Sequence, residues 1–467
     1  MDYRQESWTE WLPAALIALT ATWMSLGTLQ HFQNADSIVP VLVSLQHWTP
    51  FYWEANRYGM LVPLLTRPLH DPLANLIAQS ILNVFAGLSA SFLLLKYLFQ
   101  TSRIWIAAGA LQNIWLFLLV PRPIQFDWFV GQCYGLSFAL GLGGLLLLER
   151  RQWLLATLLV ALASWVNVGV FIVLIPVILI RQLTLGGERK LFLSSGLVVL
   201  GAVVGFVAMR TAHFRTSDTG LTPISTWAQG WIGLWRMVRF LVVQQPFLLL
   251  WMVVPAAVGL IAALLTRTQR KALLLVPSAL MVTAMLYWLM AGTLLWVREN
   301  AYMPRYIYLS LFLCSIALAV LTVAAFEGTL NRSRLLAVAP AALMLIVAGA
   351  TYGRPSASYV RREIDRKFGS MTSDIVGSGV QLVAGDYWTV WPAVFNANLE
   401  LYENHEQRSV YGLCYRSAET SAFWRHQRQL CVAAPLRDAD AIRILKSTGR
   451  PFRSAKVLNT IEVFCEP

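Results

Sequence analysis

The stretch that decides the fold runs from His31 to Pro72 and reads HFQNADSIVPVLVSLQHWTPFYWEANRYGMLVPLLTRPLHDP. It lies between two apolar segments that are each long enough to cross a bilayer as a helix. Only 13% of the chain is charged, yet this stretch carries Asp36, His47, Glu54, Arg57, Arg67, His70 and Asp71. Such a concentration at a membrane surface predicts a functional loop that the rest of the chain holds in place.

The composition of the whole chain indicates an α-helical multi-pass membrane protein. Of its 467 residues, 57% are hydrophobic, whereas globular chains average about 45–50%. Apolar runs of roughly 18–25 residues, the length that spans a bilayer, alternate with short charged loops. The net charge of +13 comes largely from Lys and Arg in loops that the positive-inside rule assigns to the cytoplasm. We therefore expect a lipid bilayer, and no nucleic acid, among the partners.

The basic turns predict about eleven transmembrane helices, with the N-terminus in the cytoplasm and the C-terminus outside. The run from Trp153 to Ile180 is preceded and followed by arginines. If both of its ends face the cytoplasm, it forms two short helices that turn at Ser164–Asn167. The backbone groups freed by that turn then need polar partners within the protein. The alternative is one long tilted helix, which breaks the alternation of basic turns after residue 181.

Two domains are predicted. Residues 1–351 form a transmembrane catalytic domain, including a first extracytoplasmic loop at 30–72, and residues 352–467 form a small soluble α/β domain. In this tail, strand-like segments alternate with helical ones at residues 358–368, 393–403, 421–429 and 438–448. An oxidising outer compartment allows one disulfide among the three cysteines of the tail. We favour Cys431–Cys465 over pairs with Cys414, because both lie in late strand-like segments.

The predicted topology collects carboxylates on the outer face, where they can act as a general base or bind a metal. Asp36 is the leading candidate, because the sequence NADSIVP places it beside an apolar surface about one turn beyond the first span. Glu54 is the candidate second acid, although WEANRYG also fits the polar start of a helix lying on the membrane at residues 57–69. Asp71 is better explained as a helix cap, with Pro72 at the first helical position.

Arginines from other loops reach the same face, and the planar guanidinium is well suited to phosphate. We assign phosphate binding to Arg298, Arg305 and Arg210. For Arg305, snorkelling to lipid headgroups is the alternative. Acceptor binding or support of the loop is assigned to three further residues: Arg57, His70 and Asp127. The histidines and acids show no metal-ligand spacing, so no metal site is assigned and a divalent cation stays open.

In layout the chain resembles the integral-membrane GT-C glycosyltransferases. The features in common are an acid soon after the first span, a long first outer loop, many spans including broken ones, and an outer C-terminal domain. The resemblance implies a polyprenyl-phosphate sugar donor, a cell-envelope glycan or lipid-linked acceptor, and a bacterial-type inner membrane. It gives Asp36 the role of catalytic base in an inverting transfer. Family members often pair two acids here, whereas no acid adjoins Asp36, and Glu54 is the candidate partner.

Other classes of function stay open. A flippase or transporter of lipid-linked glycans predicts charges inside the spans and internal repeats, but the spans are almost free of charge. An O-antigen-type polymerase or ligase would use outer-loop Arg and His, which Arg210, His213 and Arg215 offer. A membrane assembly protein without enzymatic activity is a third alternative. The aromatic stretch GDYWTVWP at residues 385–392 fits stacking on a sugar ring and packing on the membrane domain equally well.

Overall fold

The structure is a computed structural model that describes residues 11–29, 33–55, 58–99, 103–118, 126–131, 134–185, 188–211, 220–244, 246–265, 272–324, 326, 339, 343 and 356–467. Contacts divide the chain into two compact units. The helical unit comprises Met1–Thr28 and Asn83–Arg354, and the loop–tail unit comprises Leu29–Leu82 and Pro355–Pro467. The first loop thus belongs with the tail. The boundary expected after residue 351 lies outside the described residues.

The described chain is mostly helical, with a small sheet near its C-terminus. The helices are α1 (Leu12–Leu29), α2 (Ala35–Leu45), α3 (Leu61–Thr66), α4 (Pro72–Leu98), α5 (Ile104–Leu118), α6 (Tyr134–Glu149), α7 (Trp153–Val166), α8 (Phe171–Leu185), α9 (Glu188–Thr211), α10 (Trp227–Gln244), α11 (Pro246–Leu265), α12 (Ala272–Ala291), α13 (Leu295–Glu299), α14 (Tyr308–Ala324), α15 (Ala357–Ser378), α16 (Tyr387–Glu403) and α17 (Ala439–Ser447). The strands are β1 (Leu382–Ala384), β2 (Tyr411–Leu413), β3 (Cys431–Pro435), β4 (Arg453–Val457) and β5 (Ile461–Cys465). The predicted fold class, helical with a small C-terminal α/β part, is confirmed.

The predicted number of spans is not confirmed. Among the described residues, two helices, α4 and α12, are long and apolar enough to cross a membrane. A third span is added if the bent pair that begins at Trp153 counts as one. In the described part of the chain, six further apolar helical stretches are shorter, at 10–17 residues each. By length and composition, two or three helices of the described residues qualify as spans, against the eleven expected.

The predicted break between α7 and α8 is confirmed. The two helical segments are bent by 114°, and the break falls at Asn167, whose side chain accepts a hydrogen bond from the Gly169 N–H at 2.9 Å. The Ser137 hydroxyl lies 3.0 Å from the carbonyl oxygens of Ala163 and Asn167. Polar side chains of the protein thus satisfy the backbone that the turn frees, as apolar surroundings require.

The tail contains a five-stranded mixed sheet in the order β2-β1-β3-β5-β4. Strand β1 pairs in parallel with β2 and β3, and β5 pairs antiparallel with β3 and β4. The Cys431–Cys465 disulfide is confirmed and joins directly paired positions of β3 and β5. The helix predicted at residues 421–429 is wrong. A 3-10 turn at Ala418–Phe423 takes its place, because the Thr420 and Ser421 hydroxyls bond to carbonyls three residues back.

Helix α2 supplies part of the core of the loop–tail unit. Eight of its eleven residues are buried, and Ile38, Val39 and Leu42 are packed in one apolar cluster with Val394 and Phe395 of α16. The surface helix expected at residues 57–69 is reduced to the short α3. The apolar run after Asp36 is enclosed within the loop–tail unit. It forms a buried helix that carries the acid at its first turn.

Candidate active site

Asp36 occupies the second position of α2. The Asn34 side chain caps the helix by accepting hydrogen bonds from the N–H groups of Asp36 at 3.0 Å and Ser37 at 3.4 Å. Ser37 completes a capping box by accepting from the Asn34 N–H at 3.2 Å. The backbone N–H groups that point out of the first turn, together with the helix dipole, give this end a partial positive charge. The local structure therefore favours the ionised form of the half-buried Asp36 carboxyl.

The tail supplies a hydrogen-bond donor to this carboxylate. The Tyr387 hydroxyl donates to Asp36 Oδ1 at 2.8 Å. Tyr387 opens α16, where the Asp386 side chain caps the helix by accepting from the N–H groups of Trp388 and Thr389 at 3.0 and 3.1 Å. The preceding Gly385 has φ +152°, and a Cβ there would lie 2.5 Å from an oxygen of Asp438. Glycine is thus required at the turn that presents Tyr387.

Tyr52 and Arg416 extend the cluster. The Tyr52 hydroxyl lies 2.7 Å from the Tyr387 hydroxyl. Because Tyr387 gives its only hydroxyl proton to Asp36, Tyr52 must donate to Tyr387. The Arg416 guanidinium carbon lies 4.6 Å from the centre of the Tyr52 ring, and its Nη1 donates to the Trp53 carbonyl at 2.7 Å. Two hydroxyl groups in series therefore end on the Asp36 carboxylate, and the Arg416 cation lies against the ring of Tyr52.

Burial controls the protonation of this cluster. It raises the pKa of Tyr387 well above the ordinary value of 10, and the nearby Tyr52 and Asp36 oxygens raise it further. Burial opposes the charge on Arg416, but Tyr52, Tyr415, Tyr387 and Asp36 outweigh it, so that the pKa of Arg416 is raised. At neutral pH Tyr387 is therefore a hydroxyl donor and Arg416 is a cation.

Glu54 binds the tail. Its Oε1 accepts a hydrogen bond from the Ala418 N–H at 2.6 Å, at the start of the 3-10 turn. Glu54 itself adopts a positive φ of 53°. Nearby, burial raises the pKa of Glu419. The charge of His47 acts to lower this pKa, and the charge of Glu54 acts to raise it. Glu54 thus joins the first loop to the tail through this hydrogen bond. Its role as a second catalytic acid stays a prediction.

The other predicted residues of the first loop are dispersed. Asp71 caps α4, since its Oδ1 accepts from the N–H groups of Leu73 at 2.8 Å and Ala74 at 3.1 Å, and Pro72 is the first helical residue. The cap interpretation is therefore confirmed. His70 is exposed, and Arg57 lies outside the described residues. In the helical unit, Asp127 begins a π-helical turn, Asp127–Gly131, and the structure does not describe its side chain.

The three arginines assigned to phosphate lie in the helical unit. Arg305 donates through Nη2 to Asn300 Oδ1 at 2.9 Å, and its guanidinium lies 5.2 Å from the Tyr306 ring centre. Arg298 is exposed on α13. Arg210 is exposed in the last turn of α9, with its guanidinium 5.2 Å from the Phe206 ring centre. Their role stays a prediction, and His213 and Arg215 fall outside the described residues.

An open groove of about 640 Å³ lies beside the segment that joins Arg298 to Arg305. One wall is α10 and the other is formed by Ala301 and Tyr302 of that segment. The α10 residues that line it are Gln229, Ile232, Gly233, Arg236, Met237 and Phe240. The groove thus combines apolar walls with one arginine. In the part of the chain that the structure describes, no group of three or more His, Cys, Asp or Glu could hold a metal ion.

Tyr52, Tyr387 and Arg416 were not predicted as site residues. The stretch GDYWTVWP gave a partial signal, because it was singled out for its aromatic residues. Its Trp391 is fully buried and packs in the core, whereas Trp388 is 49% exposed. Trp391 thus packs within the loop–tail unit, and the two roles considered for the stretch, stacking on a sugar ring and packing on the membrane domain, stay predictions.

No protein-family model and no curated protein matches the sequence. Among solved structures, the chain is similar to ArnT from Cupriavidus metallidurans bound to undecaprenyl phosphate, with a TM-score of 0.53 and 11% identity over 98% of both chains. The chain has the fold of ArnT. The apo structure of ArnT gives a TM-score of 0.50 and 11% identity over 93% of both chains. This likeness bears out the fold that was expected from the resemblance in layout.

Proposed function

We propose that the protein is a membrane glycosyltransferase that moves a sugar from a polyprenyl-phosphate donor to a glycan or lipid-linked acceptor on the outer face of a bacterial-type inner membrane. The observation that carries the proposal is the Asp36 carboxylate, held at a helix N-terminus by the Tyr387 hydroxyl. The likeness in fold to ArnT, in a structure bound to undecaprenyl phosphate, supports the donor class.

Asp36 acts as the general base. It takes the proton of an acceptor hydroxyl, whose oxygen forms a bond to the anomeric carbon from the face opposite the phosphate. The bond from that carbon to the phosphate oxygen breaks, the configuration inverts, and polyprenyl phosphate leaves with the electron pair. The capped N-terminus of α2 supports this role, because it favours the ionised carboxylate that a base requires.

The donor phosphate is held by Arg298 and Arg305, with Arg210 as a further cation. Arginine stabilises the charge that develops on a departing phosphate. The bond from Arg305 to Asn300 supports this assignment, since it fixes the guanidinium. The apolar lining of the groove beside this segment, including Ile232 and Phe240, suits the polyprenyl chain, and Arg236 adds a cation. Arg57, His70 and Asp127 are assigned to the acceptor or to support of the loop.

The orientation follows from the charge distribution and the disulfide. Basic turns favour a cytoplasmic N-terminus and an extracytoplasmic tail. The Cys431–Cys465 bond is consistent with an oxidising compartment such as the periplasm. We therefore propose that transfer takes place at the outer face, where the tail and the first loop form one unit.

The test uses the full-length protein in detergent or nanodiscs, supplied with polyprenyl-phosphate sugars and candidate acceptors. Removing a general base typically lowers the rate by a factor of about 10²–10⁴. We expect that loss in kcat for Asp36→Asn, measured as transfer of labelled sugar. Asp71→Asn is the matched control, because it neutralises a carboxylate of the same loop that serves as a helix cap. We expect this variant to transfer sugar at the wild-type rate.

Transfer at the wild-type rate by Asp36→Asn would show that Asp36 is not the base. In sealed proteoliposomes, movement of the labelled lipid between leaflets with no glycosidic bond formed would identify a transporter instead.

A further inference from the structure

The contact between Asp36 and Tyr387 joins residues that are 351 positions apart in the chain. We propose that Tyr387, itself held by Tyr52, is the positioning residue of the catalytic base: its hydroxyl fixes the orientation of the Asp36 carboxylate and stabilises the ionised form. This inference rests on the proposed function, because it assumes that Asp36 is the base. It adds that the tail domain is part of the catalytic machinery.

The geometry is that of a strong hydrogen bond to a charged acceptor. A hydroxyl at 2.8 Å from a carboxylate oxygen is within the usual range for such a bond. Hydrogen bonds to ionised groups are roughly twice as strong as those between neutral groups. With Oδ1 bound, rotation of the carboxylate about the Cβ–Cγ bond is restricted. A base held in this way meets its proton in one orientation, which favours transfer.

Tyr387 is in turn oriented by the first loop. Tyr52 donates to the Tyr387 oxygen at 2.7 Å, and the Tyr52 side chain is only 7% exposed. Arg416 lies against the Tyr52 ring at 4.6 Å and donates to the Trp53 carbonyl. The hydroxyl that reaches Asp36 is therefore supported on both sides, by the helix cap at Asp386 and by Tyr52.

The contact is not needed simply to attach the loop to the tail. Other hydrogen bonds of the same unit already do this. Gln46 Nε2 donates to the Val410 carbonyl at 2.8 Å, Arg416 donates to the Trp53 carbonyl, and the Ala418 N–H donates to Glu54. The apolar packing of α2 against α16 adds to them. What distinguishes Tyr387 is that its hydrogen bond ends on Asp36.

The decisive variant is Tyr387→Phe, which removes the hydroxyl and keeps the ring. A carboxylate that loses a hydrogen bond to its charged form binds a proton more readily. We therefore expect the acidic limb of the kcat/KM–pH profile to move to higher pH by about one unit. Because the carboxylate also loses its fixed orientation, we expect kcat at neutral pH to fall about tenfold. The KM for the donor should stay within about twofold of wild type, because the variant leaves the ground-state contacts with the donor unchanged.

Tyr402→Phe is the matched control, because Tyr402 lies on the same helix and is 45% exposed. We expect wild-type rates and an unchanged pH profile. Thermal unfolding confirms that each variant is folded. If Tyr387→Phe does not fold, Tyr52→Phe replaces it. That variant leaves the Tyr387–Asp36 contact in place but weakens the Tyr387 donor, so we expect a smaller shift of the acidic limb in the same direction.

A folded Tyr387→Phe variant whose acidic limb stays at the wild-type pH would overturn the inference, whatever its rate. The double variant Asp36→Asn/Tyr387→Phe provides an independent check. If Tyr387 acts through Asp36, its loss should cost no further activity in the Asp36→Asn background, and multiplied losses would contradict this. Failure of the proposed function gives a different result, since Asp36→Asn alone would then keep the wild-type rate.

Discussion

At the scale of single residues, the candidate site depends on the position of a carboxylate relative to hydrogen-bond donors. Asp36 receives the Tyr387 hydroxyl on Oδ1 and lies at the positive end of a capped helix. Glu54 and Asp71 are carboxylates of the same loop, but each accepts hydrogen bonds from backbone N–H groups. Three acids that look alike in the sequence thus have different partners: Asp36 has a tyrosine hydroxyl, Asp71 caps a helix, and Glu54 binds one N–H group of the tail.

Arg305 offers a second test at this scale. Replacing it by Gln removes a cation from the proposed phosphate site and the bond to Asn300. A charge-assisted hydrogen bond contributes about 2 kcal/mol, so we expect the KM for the polyprenyl-phosphate donor to rise about thirtyfold. The measurement is initial-rate kinetics with varied donor.

Arg443→Gln is the control for Arg305→Gln. Arg443 lies on the exposed face of α17 and pairs with Asp440 at 2.8 Å. Loss of one exposed positive charge there should leave the donor KM unchanged. An equal rise in both variants would indicate that net charge, and not a phosphate contact at Arg305, controls donor binding.

At the scale of elements, α4 and α6 pack so closely that glycine is needed where they meet. A Cβ at Gly135 would lie 2.4 Å from Gly87 Cα, which is backbone and cannot rotate away as a side chain can. Small residues allow helices in apolar surroundings to approach closely. We expect Gly135→Ala to destabilise the folded protein by about 1–3 kcal/mol, the usual cost of overpacking.

Thermal unfolding in detergent measures this effect. Gly196→Ala is the matched control, because a Cβ at Gly196 of α9 has nothing within 4 Å. Alanine is favoured over glycine in helices by about 1 kcal/mol, so this variant should be as stable as wild type or slightly more stable. A Gly135→Ala variant that unfolds at the wild-type temperature would show that the two helices separate without cost.

Individual elements differ in how far the sequence could predict them. The break at Asn167 was predicted, because arginines on both sides of the run forced a choice, and polar partners were expected for the freed backbone. Helix α2 was not predicted. The Val and Ile residues and Pro40 of this segment have low helix propensity. The helix forms because its apolar residues pack against α16.

At the scale of the whole molecule, the fold class could be predicted and the composition of the site could not. Apolar runs of spanning length and an α/β tail are local patterns, and they are confirmed in kind, although not in the number of spans. The contact of Asp36 with Tyr387 spans 351 residues, so no local pattern could reveal it. The sequence therefore identified Asp36 as a candidate and missed Tyr52, Tyr387 and Arg416.

The disulfide gives a prediction at this scale. Cys431 and Cys465 are separated by 34 residues, and closing a loop of that size stabilises a folded chain by about 3–4 kcal/mol on the entropic account. We expect reductant to lower the unfolding temperature of the wild-type protein. The Cys431→Ser/Cys465→Ser variant should unfold at that lower temperature with or without reductant. A wild-type protein insensitive to reductant would contradict this.

The packing of α2 against α16 also sets an order of events during synthesis. Ribosomes add about 5–20 residues per second, so the 351 residues between Asp36 and Tyr387 correspond to a delay of roughly 20–70 s. Throughout that interval the apolar face of α2 has been made but its partner helix has not. The first loop of the chain is therefore among the last parts to fold. Until then the nascent chain exposes an apolar segment that chaperones can bind and proteases can cleave.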